Sequence, residues 1–149
     1  MDNDNDIIKF LLDWAENYFR SKDAFHKKII SINHGINRLS IEFKDKKEIV
    51  IALPDLNSFV DMGCKDNISI ITINNRKNVE SLYTNWDKFI DLHTLKVYFI
   101  NPLSTTENKW VINPYTHSKI CDMDALKVGL MTMFESVEPL TREILQARL

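Results

Sequence analysis

Three tripeptides in this chain have the form acid-x-Lys: Glu42-Phe43-Lys44, Asp45-Lys46-Lys47 and Glu107-Asn108-Lys109. A carboxylate can hold a divalent cation, and a lysine two residues on can orient or activate the water that attacks a phosphodiester. Residues i and i+2 share a face only in extended chain, so the spacing suits this chemistry only on a strand. Glu42-Phe43-Lys44 meets that condition, while the other two fall in segments that read as turns. Three matches in a chain that is 27% charged show how readily the pattern arises, and Glu42 lies on the wet side of an alternating strand. No residue is therefore assigned as catalytic. His117 and Cys121 could share a metal, with Asp122 beside them, but a structural zinc site takes four ligands in two close pairs and no second pair is present. No metal ligand or cofactor is assigned. With three glycines no phosphate-binding loop can be drawn, and no serine sits in a nucleophile-elbow pattern.

Charge supplies the candidate contacts that remain. The net charge is −2, but residues 1–19 carry −4 and residues 20–47 carry +5. Lys44, Lys46 and Lys47, joined by Arg76 and Lys77, are the candidate binding residues for nucleic-acid phosphates or an acidic protein partner. The same lysines would serve equally as the solvated face of a hairpin that balances the acidic N-terminus. Tyr115 and His117, in the polar and aromatic stretch Asn113 to His117, form a second candidate contact in what reads as a loop after a strand end.

The elements that must position these residues follow from periodicity. Asp4 or Asp6 can cap a first helix whose apolar residues Ile7, Ile8, Leu11, Trp14, Ala15, Tyr18 and Phe19 recur at helical spacing. Three short strands follow, around Ile29 to Asn33, Leu39 to Phe43 and Ile49 to Leu53, with turns expected at His34-Gly35 and Asp45 to Lys47. Ile68 to Ile73 and Leu95 to Ile100 are apolar on both faces, as buried strands are. Between them Val79, Leu82, Tyr83, Trp86, Phe89 and Ile90 form one helical stripe, predicting a helix over Asn78 to Asp91. Two buried strands joined by a helix should lie parallel with a right-handed crossover. Ile-Asn-Pro occurs at Ile100 to Pro102 and at Ile112 to Pro114, which suggests neighbouring strands with the same stop. A helix carrying Leu126, Leu130, Met133, Phe134 and Val137 follows, and Thr141 to Leu149 reads as a tail or a last turn.

The expected architecture is a single α/β (α+β) domain over residues 1–149. Its mixed sheet has an antiparallel meander and one parallel βαβ unit, and a helix lies toward the C-terminus. No apolar run approaches the ~18 residues needed to span a bilayer, and the acidic N-terminus is unlike a signal peptide. Cys64 and Cys121 read as free thiols in a reducing, cytoplasmic setting.

The succession of a helix, antiparallel strands and strand–helix–strand, with Asn74-Asn75-Arg76-Lys77 before the helix and Leu95 to Pro102 after it, resembles the restriction-endonuclease-like nucleases of the PD-(D/E)xK superfamily. The resemblance covers Asp6 to Pro102. It implies two acids and a lysine around a Mg²⁺ ion, yet the matching strand reads Ile71-Thr72-Ile73-Asn74, with Thr72 and Asn74 where acids would stand. A degenerate, non-catalytic binding domain is the expectation that follows. An active metal nuclease using Glu42 is one alternative. The element order is also similar to the small dimeric chaperones of type III secretion, which would imply a homodimer offering sheet edges to an unfolded client.

Overall fold

The computed structural model describes residues 2–60 and 66–149, so Gly63 and Cys64 lie outside the described residues. A six-stranded sheet runs in sequence order, β1 (Ile29–Gly35), β2 (Arg38–Phe43), β3 (Lys47–Ala52), β4 (Asn67–Ile73), β5 (Lys96–Ile100) and β6 (Lys109–Ile112). The pairs β1–β2, β2–β3 and β5–β6 are antiparallel. Both β3–β4 and β4–β5 are parallel, so the meander leads into a parallel core one strand wider than the βαβ unit expected from the sequence. Six α-helices among the described residues flank the sheet: α1 (Asp2–Asp23), α2 (Arg76–Thr84), α3 (Trp86–Ile90), α4 (Pro114–Ser118), α5 (Met123–Glu135) and α6 (Arg142–Gln146). Among the described residues no helix is long and apolar enough to cross a membrane.

The central strands are apolar on both faces because both faces are covered. On one, Ile7, Leu11, Ala15 and Phe19 of α1, with Leu145 of α6, pack on Leu39, Ile41, Val50, Ile71, Ile73 and Tyr98. On the other, Val79, Leu82, Trp86 and Phe89 join Leu126, Leu130 and Phe134 over Ile70, Val97 and Phe99. Phe99 and Trp110 stand opposite each other on β5 and β6 and stack with ring centroids 4.1 Å apart.

Several expected boundaries shift, each for a local reason. The first hairpin turns at Ile36-Asn37 and not at His34-Gly35; Asn37 takes φ of 58°, a left-handed conformation that Asn tolerates. The first helix begins at Asp2, so Asp4 and Asp6 lie inside it, and Asp4 pairs with Arg142 of α6. The stripe between β4 and β5 is two helices, broken at Asn85, whose side chain donates to the Ser81 carbonyl at 2.9 Å. Tyr83 falls on the exposed side of that break, and Met133 likewise faces outward from α5. The expected tail contains α6, started by the Thr141 hydroxyl, which accepts from Ile144 N–H.

The carboxyl ends of the parallel strands are closed by asparagines. At the end of β4, Asn74 is buried. Its Nδ2 donates to the carbonyls of Val137 at 2.9 Å and Phe134 at 3.2 Å, and its Oδ1 accepts from the Trp110 indole at 2.8 Å. Asn78 donates to Pro54 and Ile73 carbonyls and accepts from Leu56 N–H, tying the 3-10 turn Leu56–Ser58 to α2. Asn101 at the end of β5 donates to the Glu138 carbonyl at 2.9 Å. The two Ile-Asn-Pro stops do lie on neighbouring strands, and the asparagine side chain of each accepts from a backbone N–H just ahead, Leu103 and Thr116.

Removing the carboxamide of Asn74 takes a partner from two buried carbonyls and an indole N–H, each worth ~1–3 kcal/mol. Asn74→Ala should therefore cost about 3–5 kcal/mol in denaturant titration. Thr72→Val, which removes a buried hydroxyl with no hydrogen-bond partner, should be neutral or stabilising. A second expectation concerns α1 and β1, where Glu16 Oε1 lies 2.7 Å from His34 Nε2 and Glu16 Oε2 accepts from Arg20 Nε at 3.1 Å. The His34 bond, aided by Arg20 and against partial burial, holds the Glu16 carboxyl below its ordinary value of 4.5. A depressed carboxylate stabilises the fold above its unfolded pKa and loses that contribution as pH falls through the folded one. The stability gap between the native chain and Glu16→Gln should thus be present at neutral pH and close as pH falls below 4.5.

Candidate functional site

The two ends of the parallel strands differ in chemistry. The carboxyl ends, where open α/β sheets commonly take ligands, carry Asn74, Asn78 and Asn101 bonded into the fold. At the amino ends the apolar stripe of α1 stops at Phe19, while β3 and β5 reach further and carry Glu48 and Lys96 beyond it. A cleft of about 200 Å³ opens there. Its walls are Phe19, Lys22, Asp23 and His26 from the end of α1 and the turn after it, Lys28 leading into β1, and Phe43, Asp45 and Lys46 of the β2–β3 hairpin. Its floor is Glu48, Lys96 and Tyr98.

Glu48 sits in phase with Val50 and Ala52, so strand alternation points it to the α1 face, where its side chain is only 6% exposed. Ser69, on the adjacent strand β4, donates its hydroxyl to Glu48 Oε1. Lys46 Nζ stands 3.9 Å from Glu48 Oε2, which is beyond hydrogen-bond reach. Burial pushes the Tyr98 phenol well above its usual range, and Tyr18 and Glu48 add to the effect. Its hydroxyl therefore stays neutral on the floor. Partial burial works to raise Asp23, but backbone N–H bonds from Ile29 and Lys28 outweigh it, with His26 and Lys44 assisting, and hold it low. Those bonds, at 2.9 and 2.8 Å, pin the turn in which Lys27 takes φ of 52°.

Four lysines thus meet at one opening. Lys28 faces Asp45 at 4.0 Å and Lys46 faces Glu48. Lys22 and Lys96 have no carboxylate within 4.0 Å among the described residues; Lys22 instead stands 5.8 Å from the Tyr18 ring centre, and Lys109 stands 5.3 Å from the same ring.

Of the residues expected from the sequence, Lys46 turns into the cleft, and Lys44 sits exposed beside it. Lys47 opposes Glu42 across the hairpin, and strand alternation puts both on the face away from Glu48. Arg76 and Lys77 lie in the first turn of α2, at the other end of a seven-residue strand or ~20 Å away. There Lys77 pairs with Asp55 at 3.4 Å, and the Arg76 guanidinium stands 5.9 Å from the Phe134 ring. Tyr115 and His117 form a third group, on a short helix and not in a loop: Asn113 caps α4 and Pro114 begins it. Tyr115 stacks on His93 at 3.8 Å, and His117 meets Trp86 edge-on with a buried, unpartnered Nε2. Cys121 Sγ donates to the Asp122 carbonyl. Among the described residues no three His, Cys, Asp or Glu side chains converge as metal ligands would.

Sequence reasoning missed Glu48, Ser69, Lys96 and Tyr98. The available signal was parity, since an acid and a serine stand in phase with buried neighbours on strands that are otherwise apolar. No family model matches this chain, and neither the curated proteins nor the solved structures contain a match.

Proposed function

We propose that this chain is a binding domain for a polyanionic partner, with nucleic acid as the class it suits, on a nuclease-like scaffold that does not cleave. The observation that carries the reading is the convergence of Lys22, Lys28, Lys46 and Lys96 on one cleft. Three of them come from the one basic segment of the chain, and Lys96 arrives from β5 to complete the group. Two of the four lack a carboxylate partner among the described residues, so they remain to meet phosphate. The non-catalytic part rests on the resemblance, which would set Thr72 and Asn74 where the nuclease acids stand; Asn74, just after β4, is instead engaged with Trp110, Phe134 and Val137.

Fluorescence anisotropy against single-stranded and duplex oligonucleotides, over a salt series, tests this. Binding should weaken as salt rises, with a slope that flattens by roughly 0.7–0.9 for each phosphate contact removed. Reversal of Lys22, Lys46 and Lys96 to Glu should abolish it, whereas Arg76→Glu with Lys77→Glu should leave it unchanged. Undiminished binding by the triple reversal would overturn the reading. Incubation with Mg²⁺ or Mn²⁺ should leave the oligonucleotides intact; cleavage lost in Glu42→Ala or Glu48→Ala would refute the non-catalytic assignment.

A further inference from the structure

The cleft mixes lysines, aromatic rings and a buried carboxyl. Lys22 and Lys28 stand on its walls with Asp23 and Asp45, Phe19 and Phe43 supply apolar surface, and Lys96 shares the floor with the buried Glu48 carboxyl. One oxygen of Glu48 is taken by Ser69, while the other has Lys46 at 3.9 Å and keeps acceptor capacity. A ligand that fits must be anionic at its outer end, flat and apolar in its middle, and an N–H donor at its inner end. The neighbouring Lys46 ammonium and Glu48 carboxyl together offer a donor beside an acceptor. Adenine and cytosine present the complement on one edge, a ring nitrogen acceptor beside an amino donor. Uracil and thymine also set a carbonyl beside their N–H, but their second carbonyl would then stand against Glu48. A volume of about 200 Å³ leaves room for a base.

We propose that this cleft takes a single unstacked nucleotide whose base carries an exocyclic amine, with Glu48 as the acceptor for that amine and the rim lysines on its phosphate. The inference rests on the polyanion reading and specifies it: the partner is single-stranded, or is a free nucleotide, and its base is read. Such readout of a splayed base on its Watson–Crick edge is how sequence is recognised in unpaired strands.

The test measures binding of fluorescein-labelled oligo(dC), oligo(dT) and a mixed duplex at one salt concentration, with CMP and UMP as competitors. Oligo(dC) should bind about fivefold or more tightly than oligo(dT), as one good base contact provides, and the duplex should bind more weakly than either. Glu48→Gln, whose amide can present N–H where the carboxyl accepted, should erase the difference between oligo(dC) and oligo(dT); Arg76→Glu should preserve it. CMP displacing oligo(dC) better than UMP supports the same contact, and that arm needs no variant if Glu48→Gln fails to fold. Displacement by CMP at concentrations near those of the oligonucleotide nucleotides identifies a free nucleotide as the ligand; displacement only by oligo(dC) identifies a strand. Equal affinity for oligo(dC) and oligo(dT) in the native chain, or a duplex bound as tightly as the single strands, overturns the inference. If the lysine reversals still abolish binding in that case, the polyanion reading stands; if they do not, both fall.

Discussion

The side chain of Asn74 joins parts of the chain that no single stretch of backbone could join. It leaves the end of β4, meets the indole of Trp110 on β6, and accepts the approach of α5 by donating to carbonyls at and just beyond its C-terminus. Its own backbone completes the link, with Asn74 N–H donating to Ile100 and its carbonyl accepting from Leu140. The last carbonyls of a helix have no intrahelical donors, so a buried helix end needs partners of this kind. Asparagine suits this place: an amide both donates and accepts, and it carries no charge that would be costly to bury.

This closure determines where a ligand can go. The crevice outside the carboxyl ends of parallel strands is the usual site in sheets of this type, but here Asn74, Asn78 and Asn101 are bonded across it to Pro54, Glu138 and the end of α5. The amino ends are left open because the apolar stripe of α1 runs out one turn before the strands do. Lysines from α1, the hairpin and β5 meet there, with the buried Glu48 carboxyl beneath them. Closed polar network and open charged cleft lie at opposite ends of the same three strands.

The parts of this fold legible in the sequence were those with a strong period. The helical stripe of α1, the two apolar runs of β4 and β5, and the matched Ile-Asn-Pro stops all have direct counterparts in the structure. Where the sequence misled, a local hydrogen bond had overridden the period: Asn85 divides one expected helix into two, and Asn113 with Pro114 makes a helical turn of an expected loop. The candidate site was only partly legible. The basic segment was visible as composition, but Lys96 is remote in sequence and joins it only through the sheet register, where Ser69 stands opposite Lys96 on β5. Arg76 and Lys77 are just as basic, yet seven residues of strand separate them from the cleft. Glu48 is legible only through its parity with Val50 and Ala52, which puts it inside.

The most direct test of the account is a backbone amide chemical-shift map of the isotope-labelled chain titrated with a single-stranded oligonucleotide. The account predicts that shifts concentrate on the cleft, at Lys22, Lys28, Lys46, Glu48 and Lys96, while Asn74, Arg76 and Lys77 stay in place. Shifts centred on Asn74, Arg76 and the start of α2, with the cleft silent, would contradict it.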